Sequence, residues 1–182
     1  TGKVANLNRT ETAITNHGNN GLTVAGSVAS NGKLNVYNNN TASDLVVSGN
    51  LTNKNAILSV SNKGKNLNIT STGKLTTDND LEVVNNGSGQ LILAGNAVSN
   101  GKADIVNRAA GGMNISGTIG NASTTPTVRI VNENGKLTFT GKAYAQESVS
   151  FRNQANGTGM EIGGTIKAGE GVLVHNKGGN AL

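Results

Sequence analysis

Residues 45–62 read Leu-Val-Val-Ser-Gly-Asn-Leu-Thr-Asn-Lys-Asn-Ala-Ile-Leu-Ser-Val-Ser-Asn, and residues 91–107 restate the grammar as Leu-Ile-Leu-Ala-Gly-Asn-Ala-Val-Ser-Asn-Gly-Lys-Ala-Asp-Ile-Val-Asn. Each stretch opens on two apolar residues separated by one other, reaches a glycine, and closes on apolar-x-apolar-x-Asn. Apolar residues two apart describe a short strand with one buried face, because neighbouring side chains of an extended chain point to opposite sides. The same alternation turns the closing asparagine inward with the apolar pair before it.

Outward from these stretches, the closing asparagine returns at Asn16, Asn38, Asn62, Asn85, Asn107, Asn132, Asn153 and Asn176, at intervals of 21 to 25 residues. A glycine series runs in phase at Gly26, Gly49, Gly95, Gly117, Gly141 and Gly164, with Ser71 assigned the place between Gly49 and Gly95. Two markers sharing a period of about 23 residues, in a chain without helical periodicity, define a solenoid in which each repeat is one coil.

Three strands fit each coil. The first runs Leu22–Val24, Leu45–Val47, Leu67–Ile69, Leu91–Leu93, Met113–Ile115, Leu137–Phe139 and Met160–Ile162. The second is marked by an inward residue after the glycine: Val28, Leu51, Leu75, Val98, Ile119, Ala143 and Ile166. The third leads to the asparagine through Leu34–Val36, Leu58–Val60, Leu81–Val83, Ala103–Ile105, Val128–Ile130, Val149–Phe151 and Val172–Val174. The expected fold is an all-β parallel β-helix forming a single segment over 1–182. Ala13-Ile14-Thr15-Asn16 reads as the end of an incomplete coil with Val4 and Leu7 as earlier wall residues, and Ala181-Leu182 as the opening of a further strand. Both ends then cut through the repeat, as expected of a piece of a longer rod.

An inward amide is costly unless its hydrogen bonds are made. Stacked at the spacing of paired strands, about 4.8 Å, each asparagine can bond to the next and form a ladder. Asparagine also suits turns, and a glycine follows closely in Asn62-Lys-Gly64 and Asn85-Asn-Gly87. The ladder is the favoured role, and the two can coexist.

The composition suits a narrow core: 35% hydrophobic residues but only 2% aromatic leave Val, Leu, Ile and Ala to build it in layers. Without cysteine there is neither a disulfide scaffold nor a thiolate metal site. The net charge of +5 arises from 15 basic and 10 acidic residues spread along the whole chain. A nucleic-acid surface needs a clustered basic track, usually with stacking aromatics, so no nucleic-acid partner is expected. No apolar run reaches membrane-spanning length.

Chemistry-bearing motifs are equally sparse. No phosphate loop, zinc spacing, nucleophile elbow or calcium loop occurs, so no catalytic residue, cofactor or metal ligand is assigned. His17 and His175 fall at opposite ends of the rod. Glu82 and Asp104 hold the same outward position in adjacent coils, with Arg129 next, and stand as the acid and base of an alternative reading as a polysaccharide-binding or polysaccharide-cleaving β-helix. The outward residue of the first strand changes from coil to coil through Thr23, Val46, Asn68, Ile92, Asn114, Thr138 and Glu161, which disfavours a regular threonine face of the ice-binding kind. Residues 120–126 and 144–148 depart most from the pattern and are expected as surface loops, the first of them a candidate partner contact. Asn-x-Ser/Thr sequons begin at Asn8, Asn39, Asn50, Asn68, Asn86, Asn114, Asn121 and Asn156, and none falls on the ladder series.

The repeat in Leu45–Asn62 and Leu91–Asn107 resembles the rods of filamentous haemagglutinin and the high-molecular-weight adhesins, the large exoproteins of two-partner secretion in Gram-negative bacteria. The resemblance spans nearly the whole chain, although neither the amino-terminal secretion domain nor a toxin-like part is present. It implies a right-handed parallel β-helix and a monomeric rod on the bacterial surface, where it contributes to adhesion and virulence. It further implies export through an outer-membrane β-barrel and a host-cell or bacterial receptor, protein or carbohydrate. The sequons Asn50, Asn68 and Asn114 would be glycosylation candidates. The stalk of a contact-dependent toxin-delivery exoprotein is a relative of the same class.

Overall fold

In the computed structural model, which describes residues 2–178, the apolar-x-apolar triplets form strands that pair in parallel with their equivalents one coil before and after. Three sheets result. The first sheet has seven strands, from Leu22–Val24 to Met160–Ile162. The middle sheet has eight, from Lys3–Asn6 to Thr165–Ala168. The asparagine sheet also has eight, from Thr12–Asn16 to Gly171–Asn176. The chain is a right-handed parallel β-helix with repeats of about 23 residues and three strands per coil.

Register holds because a slip of one residue would turn every inward side chain outward. Leu81 therefore stands on Leu58 below and Ala103 above, and Val83 on Val60 and Ile105. These columns fill a continuous core in which Leu45, Val47, Leu51, Leu58 and Val60 are fully buried. Volume is balanced within a coil. Where Phe139 and Phe151 face each other edge to face, with ring centroids 4.8 Å apart, the middle-sheet residue of that coil is the small Ala143.

The glycine column marks the corner between the first and middle sheets, and close approach of backbones requires it. A Cβ on Gly49 would lie 1.9 Å from the carbonyl oxygen of Gly26, and one on Gly117 1.9 Å from that of Gly95. The place assigned to Ser71 belongs instead to Gly73. Lys74 pairs with Asn50 and the Lys74 amide donates to Gly49 O, so Ser71 and Thr72 form an exposed two-residue insertion before the corner. A second correction has the same cause. Counting from the true corner glycine, the inward residue always lies two positions on, so Ala97 packs on Leu75 while Val98 faces outward, half-buried.

The first coil carries strands at Lys3–Asn6 and Thr12–Asn16. Val4 stands in register under Val28, as a wall residue should, but Leu7 lies beyond its strand at 79% exposure and is no part of the wall. Ala181-Leu182 lies outside the described residues. Tyr144 and Ala145 belong to a regular strand, Lys142–Ala145, so the expected loop at 144–148 contracts to a turn at Gln146 and Glu147. Residues 121–126 do leave the sheets, yet they fold back: the Thr124 and Thr125 amides both donate to Asn121 O, and Thr125 is fully buried.

Candidate functional site

The inward asparagines occupy the end of the third strand in every coil, where the strand's alternation and the following turn fix them together. The Asn16 amide donates to Asn38 Oδ1 at 2.8 Å, and the pattern continues through Asn38 to Asn62, Asn62 to Asn85, Asn85 to Asn107, Asn107 to Asn132, Asn132 to Asn153 and Asn153 to Asn176, all between 2.9 and 3.1 Å. Each Nδ2 donates toward the next coil, so the amide dipoles point one way along the rod.

The second amide hydrogen goes to the local turn, as from Asn132 to Gly135 O at 2.7 Å and from Asn153 to Thr158 O at 3.1 Å. Several Oδ1 atoms also accept a backbone amide two residues on, including that of Gly64 at Asn62 and that of Gly178 at Asn176. Ladder and turn roles are therefore carried by the same side chain. Bonding on both sides is what lets six asparagines, from Asn38 to Asn153, sit at 0% exposure.

On the outside of the same sheet, Glu82 and Asp104 are register neighbours. Arg129 Nη1 lies 2.6 Å from each oxygen of Asp104, and Glu82 Oε2 accepts the Ser59 hydroxyl at 3.3 Å. Each acid thus has its own partner, Asp104 in an ion pair with the coil above and Glu82 bonded to the coil below. His17 lies against Asn39, at 3.3 Å from its amide nitrogen, and His175 is exposed at the far end. Among the described residues no group of His, Asp and Glu is placed to hold a metal ion, and no helix is long and apolar enough to cross a membrane.

Further charge pairs also bridge adjacent coils. Arg108 reaches Glu133 at 3.2 Å and Asn86 at 2.9 Å, and Lys136 reaches Glu161 at 2.7 Å. The Lys136 ammonium, through this hydrogen bond and then through its charge, holds the Glu161 carboxyl below the usual carboxylate range.

Two features escaped the sequence. A second inward polar column closes the middle sheet at Asn6, Ser30, Asn53, Thr77 and Ser99, and its members from Ser30 to Ser99 are at most 2% exposed. Thr125 prolongs it: folded in by its loop, its hydroxyl donates to Ser99 O. The signal available was a small polar residue two positions beyond each inward apolar one. Besides this column, Val84, Val106 and Val131 form a stripe on the outside of the asparagine sheet that is only 2% to 6% exposed, flanked on that face by the Arg129–Asp104 and Arg108–Glu133 pairs.

A shallow groove follows the glycine corner on the side of the rod. It is lined by Asn96, Ser116, Thr118, Thr140, Lys142 and Thr165, together with the corner glycines Gly117, Gly141 and Gly164. Of the glycosylation candidates, Asn50 is exposed on the outside of the middle sheet, and Asn68 and Asn114 are half-buried on the outside of the first.

The chain is a β-solenoid rod. No protein-family model, curated protein or solved structure matches it.

Proposed function

We propose that this rod is a structural segment of a secreted Gram-negative surface adhesin, similar to filamentous haemagglutinin and the high-molecular-weight adhesins, that extends or presents adhesive surface to host cells or other bacteria. The observation that carries this reading is the in-register stacking of coils from Lys3 to Asn176, which satisfies the backbone along the axis and leaves long lateral faces for contact. The repeat grammar of Leu45–Asn62 and Leu91–Asn107, through its resemblance to those rods, supports the choice of family. The hydroxyl- and amide-lined groove at the glycine corner supplies a surface able to hydrogen-bond a protein or carbohydrate receptor. In this reading an outer-membrane β-barrel exports the chain, and Asn50, Asn68 and Asn114 are the positions open to sugar.

The test is adhesion. Beads coated with the protein should bind a subset of epithelial or bacterial cells saturably, with soluble protein competing, while beads carrying an unrelated β-helix of similar length and charge should not. Equal binding of both rods to every cell type would reduce the segment to a spacer. Depolymerisation of a polysaccharide by the parent but not by an E82Q/D104N variant would replace adhesion with catalysis.

A further inference from the structure

Asparagine is chemically unstable when the backbone nitrogen that follows it can reach its side-chain carbonyl carbon, and glycine in that next position removes the steric barrier. The chain has six Asn-Gly pairs, beginning at Asn20, Asn31, Asn86, Asn100, Asn134 and Asn156. The fold treats them unequally.

In three of them the attacking nitrogen is engaged: Gly32 N donates to Ser30 Oγ, Gly87 N to Asn85 Oδ1, and Gly101 N to Asn79 O. Asn86 is held through its side chain by Arg108 Nη1 at 2.9 Å, and Asn134 by donation to Arg108 O at 2.8 Å. At Asn20 the peptide is pinned through its carbonyl, which accepts from Asn16 Nδ2 at 2.6 Å and from Ser43 Oγ at 3.3 Å. Among the described residues, Asn156-Gly157 alone has its side-chain amide, the following amide nitrogen and the intervening carbonyl all without a hydrogen-bond partner. Both residues are exposed, and the surroundings of Gly157 are open.

We propose that Asn156-Gly157 is a self-modification site at which the chain converts asparagine to aspartate and isoaspartate with water as the co-reactant. The Gly157 amide gives its proton to solvent base, its nitrogen bonds to Cγ of Asn156, and the Cγ–Nδ2 bond breaks to release ammonia. Water then opens the cyclic imide. Cleavage at Cγ leaves aspartate, cleavage at the backbone carbonyl leaves isoaspartate, and nothing is oxidised or reduced. The product carries a new negative charge and lacks the amide that makes Asn156-Gly-Thr158 a sequon.

The ladder is shielded from the same reaction. The residue after each ladder asparagine is never glycine, and from Asn38 onward its amide donates to the carbonyl of the ladder asparagine one coil back, as Arg108 N does to Asn85 O and Gln154 N to Asn132 O. The coil geometry that aligns the amides also occupies their nearest nucleophile.

Incubation of the intact protein in mildly alkaline buffer made with oxygen-18 water, followed by peptide mapping, tests the site. The tryptic peptide 153–167 should gain isoaspartate and label about tenfold faster than any other Asn-Gly peptide, a difference equal to about 1.4 kcal/mol and comparable to one net hydrogen bond. In denaturant the six rates should converge. G157A, whose Cβ meets no neighbour but sits on a left-handed backbone with φ of 71°, should slow the reaction, and circular dichroism matching the parent shows that the strain stays within this exposed turn. Equal or faster reaction at another Asn-Gly pair in the folded chain, or an unchanged rate in G157A, would overturn the assignment.

Discussion

The rod has two inward polar corners, and they are built differently. At the end of the asparagine sheet the residue is the same in all eight coils, and seven amide–amide bonds run unbroken from Asn16 to Asn176. At the end of the middle sheet the residue varies, and its side chains bond mostly to backbone carbonyls, in their own coil or the one before. Ser30 and Ser99 turn back to Gly32 O and Gly101 O, Thr77 donates to Ala56 O, and only Asn6, Thr12 and Ser30 link side chain to side chain. Asn53 Oδ1 is buried there without a partner. An amide carries donors and an acceptor at opposite sides of one plane and can pass a hydrogen bond on to the next amide, whereas the Ser30, Thr77 and Ser99 hydroxyls each donate to a backbone carbonyl and the chain of side chains stops there. The first corner therefore fixes residue identity, and the second only small size, with Ala145 and Ala168 at that register position in the last two coils.

The sharpest way to break this contrast is Asn107→Ala. It strips the acceptor from Asn85 Nδ2 and the donor from Asn132 Oδ1 at a site with 0% exposure, and should cost about 3–5 kcal/mol in urea unfolding. Thr77→Ala, at the other corner, removes one bond to Ala56 O and one from Asn79 N, and should cost about 1 kcal/mol by the same measurement. Equal losses at the two sites would mean that the ladder gains nothing from its continuity.

The smallest effect lies on the surface. The folded pKa of Glu161 is lowered by Lys136, so the pair's contribution is present above the unfolded glutamate value and is lost as pH falls through the folded one. Lys136→Met should remove that acid-side slope from the thermal melting profile and leave the ladder variants' losses unchanged, because the pair is exposed and bonded to neither corner.

How much was legible follows the same division. The ladder positions, the first-strand triplets and the third-strand triplets are where the sequence places them, since each is marked by a repeated residue type. The middle sheet was harder. Hydrophobicity and period favour Val98 over Ala97 and Ser71 over Gly73, whereas the inward positions follow parity from the corner glycine. Thr125 could not be found at all: only the fold-back of residues 121–126 carries it into the column above Ser99. The adjacency of Glu82 and Asp104 is visible in the sequence, but the hold of Arg129 Nη1 on both oxygens of Asp104 is not.

The sequence by itself determined the coil, because period and alternation are properties of the chain and a repeated letter must become a column once strands pair in register. Tertiary structure alone decided which polar atoms find partners. It sealed the ladder amides, left Asn53 Oδ1 unpaired, and exposed Asn156 while restraining five other Asn-Gly pairs. Hydrogen bonding and access depend on what the neighbouring coil places within reach, and residues about 23 positions away in the chain supply it.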